Sequence, residues 1–332
     1  MQKIINAPTS FVDEMLEGVL LAHPSALRRA GDRRAIVRVA APVAGKVGIA
    51  TGGGSGHLPV FMGYVGEGLA DGAAVGNVFA SPSAYQMLAV AEAVNAGRGV
   101  CFVYGNYGGD VMNFELAAEL AADAGIDVVT VRCADDVASA PRSEEARRRG
   151  IAGIFFLYKV AGARAAEGAS LEEVRGATEF AGSNLRSMGV ALAPCTVPAA
   201  GVPTFELPTG QMEIGMGIHG EPGVRRGELR PADEIADELV DALLADLPFG
   251  RGDEVAVLVN GLGATPKEEL YILYRRVHRR LDEVGIAVHR AWVGEYATSL
   301  EMSGASLSML KLDADLKRLV DAPADSPFFT QR

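Results

Sequence analysis

The sequence predicts an α/β protein with two domains, each of them a β-sheet flanked by helices. Short apolar runs that end in glycine-rich turns alternate with alanine-rich helical segments, which is the order of elements in α/β sheets. The chain has 332 residues, which favours two hydrophobic cores over one. Prolines become frequent after about residue 185, and this change in composition predicts domains over 1–185 and 186–332.

The elements can be placed in order along the chain. Phe11, Met15 and Val19 form the apolar stripe of a first helix, and Ser10 and Asp13 have the spacing of a capping box at its start. Apolar runs then predict strands at 46–50, 99–104, 127–131, 254–259 and 286–293. Helical patterns predict helices at 114–124, 170–188, 233–244 and 267–283.

Composition excludes several classes of function. The formal net charge of −11 argues against nucleic acid or an anionic membrane as the partner. The three cysteines show neither a disulfide framework nor the spacing of a zinc site. The first residues lack the apolar core of a signal peptide, and no apolar run is long enough to span a bilayer. We therefore expect a cytoplasmic protein.

Two of the five histidines lie in glycine-rich segments, His57 in 52–57 and His219 in 215–223. A histidine surrounded by glycine is expected to have no packing role, so its imidazole can act as a ligand, base or nucleophile. Residues 215–220 formally match a dinucleotide fingerprint, but they follow no clear strand and open no helix, so we reject that interpretation. A phosphate-binding P-loop is absent.

The segment 52–57 gathers backbone N–H groups, the Ser55 hydroxyl and the His57 imidazole, which suits a small, oxygen-rich ligand. The alternative is a tight turn with a satisfied histidine. Asp110 follows another predicted strand, so His57 and Asp110 are expected to face one crevice at the carboxyl ends of the strands. Asp110 is also explained as the N-cap of a helix that begins near 111–112, and both interpretations stay open.

Five segments in register resemble the dihydroxyacetone kinase K subunit family, over about residues 2–330. They are Gly52-Gly53-Gly54-Ser55-Gly56-His57, Asn106-Tyr107-x-Gly109-Asp110-Val111-Met112-Asn113-Phe114, Ser187-Met188-Gly189-Val190-Ala191-Leu192, Gly215-Met216-Gly217-Ile218-His219-Gly220-Glu221-Pro222-Gly223 and Asn260-x-Leu262-Gly263. In that family one histidine bonds covalently to the carbonyl carbon of a ketose as a hemiaminal, and His219 occupies its position. A second histidine and an aspartate flank the hydroxyl that is phosphorylated, and His57 and Asp110 match them.

The resemblance also implies substrate contacts from Gly54, Ser55, Gly56 and His57, and a homodimer of two-domain chains. It implies that this chain binds no cofactor or metal, because a separate L-type subunit or domain holds ATP or ADP with Mg²⁺. The resemblance therefore indicates the ketose-binding half of a kinase, which needs an L-type partner for turnover.

The chain departs from the usual family pattern at two positions. Gly105 stands where dihydroxyacetone-specific members usually have lysine, and Leu58 stands where they usually have glutamate. Members with Gly-Asn-Tyr at this place look like the erythrulose-kinase branch. We expect a roomier, less polar site and a substrate larger than three carbons, such as a tetrulose; neutral drift is the alternative.

Two other functions remain possible. Paralogues of the family are non-catalytic co-regulators that sense ketoses, but a sensor needs only His219, whereas this chain also has His57 and Asp110. An aldolase- or isomerase-like enzyme is less favoured, because the sequence offers no recognisable lysine nucleophile or metal cluster.

Overall fold

The computed structural model describes residues 2–332, which divide into two compact units. The first unit comprises Gln2–Cys133, Phe155–Ala181 and Arg318–Arg332, and the second comprises Ala134–Ile154 and Gly182–Lys317. Both are α/β, as predicted. The units are discontinuous in sequence, and the division into 1–185 and 186–332 stays a prediction.

The described residues form eight α-helices and fourteen strands. The helices are α1 (Phe11–Ala22), α2 (Ala84–Val94), α3 (Gly108–Asp123), α4 (Ile154–Ala166), α5 (Leu171–Ser183), α6 (Ala232–Asp246), α7 (Lys267–Val284) and α8 (Ala314–Asp321). The strands are β1 (Leu27–Arg29), β2 (Ala35–Arg38), β3 (Gly48–Ser55), β4 (Gly72–Val78), β5 (Val100–Gly105), β6 (Val128–Cys133), β7 (Leu185–Ala193), β8 (Gln211–Ile214), β9 (Arg225–Glu228), β10 (Glu254–Gly261), β11 (Ala287–Gly294), β12 (Ser303–Leu312), β13 (Ala324–Ser326) and β14 (Phe329–Gln331).

The structure corrects two sequence-based expectations. The helix predicted over 170–188 ends at Ser183, because the apolar run that follows forms β7 and pairs in antiparallel register with β12. The capping box at α1 is absent: Ser10 makes no side-chain cap bond, and the Asp13 carboxylate instead accepts two hydrogen bonds from Arg34, at 2.5 and 2.6 Å.

The sheet of the first unit has the strand order β1-β2-β4-β3-β5-β6. The strands β4, β3, β5 and β6 are parallel neighbours, whereas β1 and β2 join antiparallel at one side. The chain steps from β3 outward to β4 and then to β5 on the opposite side of β3. The order therefore reverses between β3 and β5, and ligands of open α/β sheets bind at such a switch point, outside the carboxyl ends of the strands.

Alternating side chains on these strands build a core on each face of the sheet. Val37 and Ala74 point toward α2 and α3, whereas their neighbours Ile36 and Ala73 pack with α1. Because helices cover both faces, the carboxyl edge of the parallel strands is the place where this unit can offer functional groups.

The sheet of the second unit has the order β11-β10-β12-β7-β8-β9, and within it only β10 and β11 are parallel. Helices α6 and α7 bury their apolar stripes in one core with side chains of β7, β8, β10 and β12. The loop from β8 to β9 carries His219. Within residues 2–332, no helix has both the length and the apolar character needed to cross a membrane.

Candidate functional site

The first glycine segment is itself part of a strand. The strand predicted over 46–50 continues to Ser55, so Gly52, Gly53 and Gly54 lie within β3. A Cβ atom on Gly53 would lie 2.2 Å from the Phe61 ring, and one on Gly54 would lie 2.7 Å from the backbone nitrogen of Ala80. The glycines therefore allow neighbouring groups to approach the strand closely, which sequence reasoning had not distinguished from a ligand-binding turn.

His57 has a packing role, contrary to the expectation from its glycine neighbours. Its side chain is buried, with the residue 1% exposed. The imidazole stacks on the Phe79 ring at 4.8 Å between centroids and meets the Phe61 ring edge-on at 6.2 Å. Phe79 adopts φ 56°, a left-handed conformation that is rare for a bulky residue. These contacts fix the plane of the His57 ring.

Ser55 and Gly56 turn the chain from β3 to His57. The Ser55 hydroxyl is buried and donates a hydrogen bond of 2.7 Å to the Gly76 carbonyl, so its proton is already engaged within the fold. Gly56 has φ 99°, a conformation that favours glycine. The substrate contacts expected from Gly54, Ser55 and Gly56 stay predictions.

Asp110 lies in the first turn of α3, where it is buried. The helix begins at Gly108 with Tyr107 as its N-cap residue, so Asp110 is not the N-cap that the sequence suggested. The backbone N–H groups and the dipole at the start of a helix favour a negative charge there. The position therefore suits an ionised carboxylate.

The charge of Asp110 acts on the buried phenols of Tyr104 and Tyr158. Burial raises the pKa of Tyr104 to about 12; Arg132 opposes this rise, and the charges of Glu115 and Asp110 add to it. Burial also raises the pKa of Tyr158, whose hydroxyl shares a hydrogen bond of 2.9 Å with Thr51. Both phenols remain neutral at physiological pH, so Asp110 is the better candidate for accepting a proton.

His57 and Asp110 belong to the same edge of the first sheet. His57 follows β3 and Asp110 follows β5, and these strands are parallel neighbours at the switch point. The Asn113 amide of α3 donates hydrogen bonds to the Pro82 carbonyl at 3.0 Å and to the Ser81 hydroxyl at 3.2 Å, which ties α3 to the segment after β4. Both residues therefore follow neighbouring parallel strands, and the crevice that they are expected to share stays a prediction.

His219 lies in the loop between β8 and β9, so this loop does follow a strand. It leads into β9 rather than a helix, and the dinucleotide interpretation stays rejected. Ile218 is buried, and its carbonyl accepts a hydrogen bond from the Ser299 hydroxyl. The side chain of His219 itself is 25% exposed. The loop is thus anchored directly before a partly accessible imidazole.

A carboxylate that sequence reasoning had not singled out holds this imidazole. Glu221 Oε1 lies 2.9 Å from His219 Nδ1, and Glu221 Oε2 accepts a hydrogen bond of 3.0 Å from the His219 backbone N–H. A carboxylate oxygen only accepts, so in the neutral ring the proton is on Nδ1 and the lone pair is on Nε2. An acidic residue within a glycine-rich histidine loop is the signal that could have identified Glu221.

The surroundings keep Glu221 ionised. Burial opposes its ionisation, but hydrogen bonding and charge from His219, with a further contribution from Arg149, lower the pKa of Glu221 to about 2. Arg149 Nη1 lies 3.8 Å from Glu221 Oε2. The imidazole of His219 therefore faces a carboxylate across the whole physiological pH range.

Chemically, an imidazole can act as a nucleophile or a base and a carboxylate as a base; His219 lies in the second unit, and His57 and Asp110 lie in the first. No group of three or more His, Cys, Asp or Glu residues within 2–332 is arranged to hold a metal ion.

Comparison with known proteins identifies the family. The Dak1 domain family matches residues 17–328, almost the whole chain. The chain belongs to the Dak1 domain family.

Two curated relatives cover 99% of this chain, each at 45% identity. One is the PTS-dependent dihydroxyacetone kinase 2, dihydroxyacetone-binding subunit DhaK, of Listeria innocua, of which 99% is covered. The other is the D-erythrulose kinase of Mycolicibacterium smegmatis, of which this chain spans 56%. A solved structure of the dihydroxyacetone kinase operon co-activator DhaQ matches with a TM-score of 0.90 at 33% identity, covering 96% of this chain and 98% of that one. The α/β fold predicted from the sequence and the predicted family are thereby confirmed.

Proposed function

We propose that this chain is the ketose-binding subunit of a dihydroxyacetone-type kinase. In this proposal the Nε2 lone pair of His219 attacks the carbonyl carbon of a short-chain ketose and forms a hemiaminal. Plain polyols such as glycerol are excluded because they offer no carbonyl carbon to the nucleophile.

The observation that carries the proposal is the His219–Glu221 pair. A nucleophilic histidine needs one ring nitrogen with a lone pair and a fixed orientation. The bond of 2.9 Å from Nδ1 to Glu221 meets both needs, and the ring is partly exposed as a substrate site requires.

Phosphoryl transfer uses the groups at the edge of the first sheet. The terminal hydroxyl oxygen of the captured ketose attacks the phosphoryl group, the bond to the leaving nucleotide oxygen breaks, and the hydroxyl proton passes to Asp110 or His57. The nucleotide and its Mg²⁺ are held by an L-type subunit, because this chain has no P-loop. The kinase subunit is further proposed to act as a homodimer.

The substrate is proposed to be dihydroxyacetone or a tetrulose such as erythrulose. Gly105 is buried at the end of β5, where a lysine would add charge to the edge that carries Asp110. Leu58 packs against the apolar cluster beneath α1, so packing within the fold also explains an apolar residue at this position. The D-erythrulose kinase relative supports the larger substrate.

The proposal is tested by adding the purified chain to an L-type nucleotide-binding subunit and measuring phosphorylation of each ketose. The wild type is expected to support transfer. Asp110→Asn is expected to keep the ketose adduct but slow transfer by about 10²- to 10⁴-fold, the usual contribution of general acid–base catalysis. Asp123→Asn, at the exposed end of the same helix, is the matched control and should transfer normally. Equal rates in both variants would remove Asp110 from the proposed mechanism.

A second candidate function is a ketose-sensing co-regulator, because the co-activator structure matches this chain over nearly its full length. His57 and Asp110 favour the enzyme, since a sensor requires only capture. Ketose binding without phosphoryl transfer, whichever L-type subunit is supplied, would favour the sensor.

A further inference from the structure

Glu221 contacts His219 twice, through the ring Nδ1 at 2.9 Å and through the backbone N–H at 3.0 Å. We propose that Glu221 is a positioning residue, which fixes the proton of His219 on Nδ1 and balances the positive charge that the ring gains when it captures a ketose. This inference rests on the proposed function. It adds that Glu221 supplies the negative charge at the site and that capture takes up one proton.

The loop is shaped around this carboxylate. A Cβ atom on Gly217 would lie 2.2 Å from Glu221 Oε2 and 2.5 Å from Arg149 Nη1. The backbone N–H of Gly217 also donates a hydrogen bond of 3.1 Å to the Glu221 carbonyl. A side chain at 217 would therefore force the Glu221 carboxylate or the Arg149 guanidinium to shift from its observed position.

The charged groups around the pair are themselves held in place. Arg149 approaches Glu221 Oε2 at 3.8 Å, donates to Asp136 at 3.0 Å and to the Gly215 carbonyl at 3.1 Å. At the far end of the loop, Glu213 accepts hydrogen bonds from the Gly223 backbone at 2.7 Å and from the Arg226 side chain. Of these groups, Glu221 is the one whose charge contacts the ring.

The proton and charge balance of the capture step explains how the Glu221 carboxylate would favour capture. When Nε2 forms the bond to the carbonyl carbon, the π electron pair of the C=O bond moves to oxygen, which takes a proton from solvent. The ring retains its proton on Nδ1 and becomes a cation. A neutral ring and one proton are therefore converted into an imidazolium adduct that faces the Glu221 carboxylate. Without that negative charge, the cationic adduct loses its counter-ion and tends to release the Nδ1 proton.

The number of protons taken up per ketose therefore distinguishes a Glu221 that balances the charge of the adduct from a Glu221 that only supports the loop. If capture takes up one proton, the association constant falls tenfold for each unit by which the pH rises within the range where the free ring is neutral and the adduct is still protonated. A neutral adduct takes up no proton, and its association constant is then independent of pH.

The experiment compares the wild type with Glu221→Gln, an amide of the same shape. Calorimetric titration with dihydroxyacetone and with erythrulose, in two buffers of different ionisation enthalpy near neutral pH, measures the protons taken up per ketose. The wild type is expected to approach one proton. Glu221→Gln is expected to bind roughly 10- to 100-fold more weakly, by analogy with removal of a carboxylate partner from a ligating histidine, and to take up fewer protons with a flatter pH dependence.

Glu213→Gln is the matched control, because it removes a carboxylate that supports the same loop without touching the ring. It should keep the proton uptake and pH slope of the wild type, whatever its affinity. Equal uptake in wild type and Glu221→Gln would overturn the inference, as would an equal loss in Glu213→Gln. If Glu221→Gln does not fold, a wild-type uptake near zero overturns it. Failure of the proposed function looks different, because the wild type then binds neither ketose.

Discussion

At the scale of single residues, the sequence identifies the candidate histidines but not their surroundings. Glycine neighbours draw attention to His57 and His219 alike, yet the structure buries one ring between aromatic side chains and leaves the other partly exposed beside Glu221. The difference arises because Phe61 and Phe79 reach His57 through the tertiary fold, and spacing along the chain does not encode such contacts. Glu221, two residues from His219, was within reach of sequence reasoning.

Gly105 supplies a prediction at this scale. Gly105→Lys places a charged donor at the carboxyl end of β5, and we expect it to shift the preference between erythrulose and dihydroxyacetone toward dihydroxyacetone by about tenfold, the effect of one charge-assisted hydrogen bond. The ratio of the two adducts in a competition experiment measures this shift. Gly108→Lys adds the same charge in open space at the start of α3 and serves as the control. An unchanged ratio in Gly105→Lys would contradict the hypothesis that Gly105 makes room for a larger substrate.

At the scale of elements, local patterns place the helices α1, α3, α5, α6 and α7 and the strands β3, β5, β6, β10 and β11, because amphipathic stripes and apolar runs are local properties. Elements whose formation depends on distant partners are missed or misplaced. The first residues of β7, 185–188, lie within the predicted helix, since only the pairing of β7 with β12 shows that they are extended. The short strands β8 and β9, which present the His219 loop, carry no strong local pattern.

An ion pair between a buried arginine and a partly buried aspartate also links elements that are distant in sequence. Asp246, at the end of α6, accepts hydrogen bonds from Arg148 at 2.8 and 2.5 Å and another from Arg186 of β7. Arg148 is only 1% exposed, so its guanidinium depends on this carboxylate. Asp246→Asn should therefore lower the free energy of unfolding by about 2 kcal/mol, because the buried Arg148 loses its charged partner while the site of Asp246 itself is partly accessible to water. Urea denaturation measures the change.

The effect of Asp246 should depend on pH. Burial alone would raise its pKa, but the hydrogen bonds and charges of Arg148 and Arg186 prevail and lower it. The stabilisation is therefore complete above the ordinary carboxyl pKa of about 4 and is lost as the pH falls through the lower folded-state value. Asp241→Asn, on the exposed side of α6, is the control and should cost far less. Similar losses in both variants would contradict the account.

At the scale of the whole molecule, the fold class and the family follow from the sequence, whereas the composition of the compact units does not. The segment 134–154 belongs to the second unit although it lies within the first half of the chain, and 318–332 returns to the first. Such exchanges depend on packing between segments that are far apart in sequence. The candidate groups are divided in the same way, with His57 and Asp110 in one unit and His219 in the other.

Covalent capture of a ketose by His219 is the central claim, and native mass spectrometry of the purified chain tests it most directly. We expect a mass increase of one whole ketose with dihydroxyacetone or erythrulose, none with glycerol, and none in His219→Ala. The absence of an adduct with every short ketose, or its persistence in His219→Ala, would contradict the account.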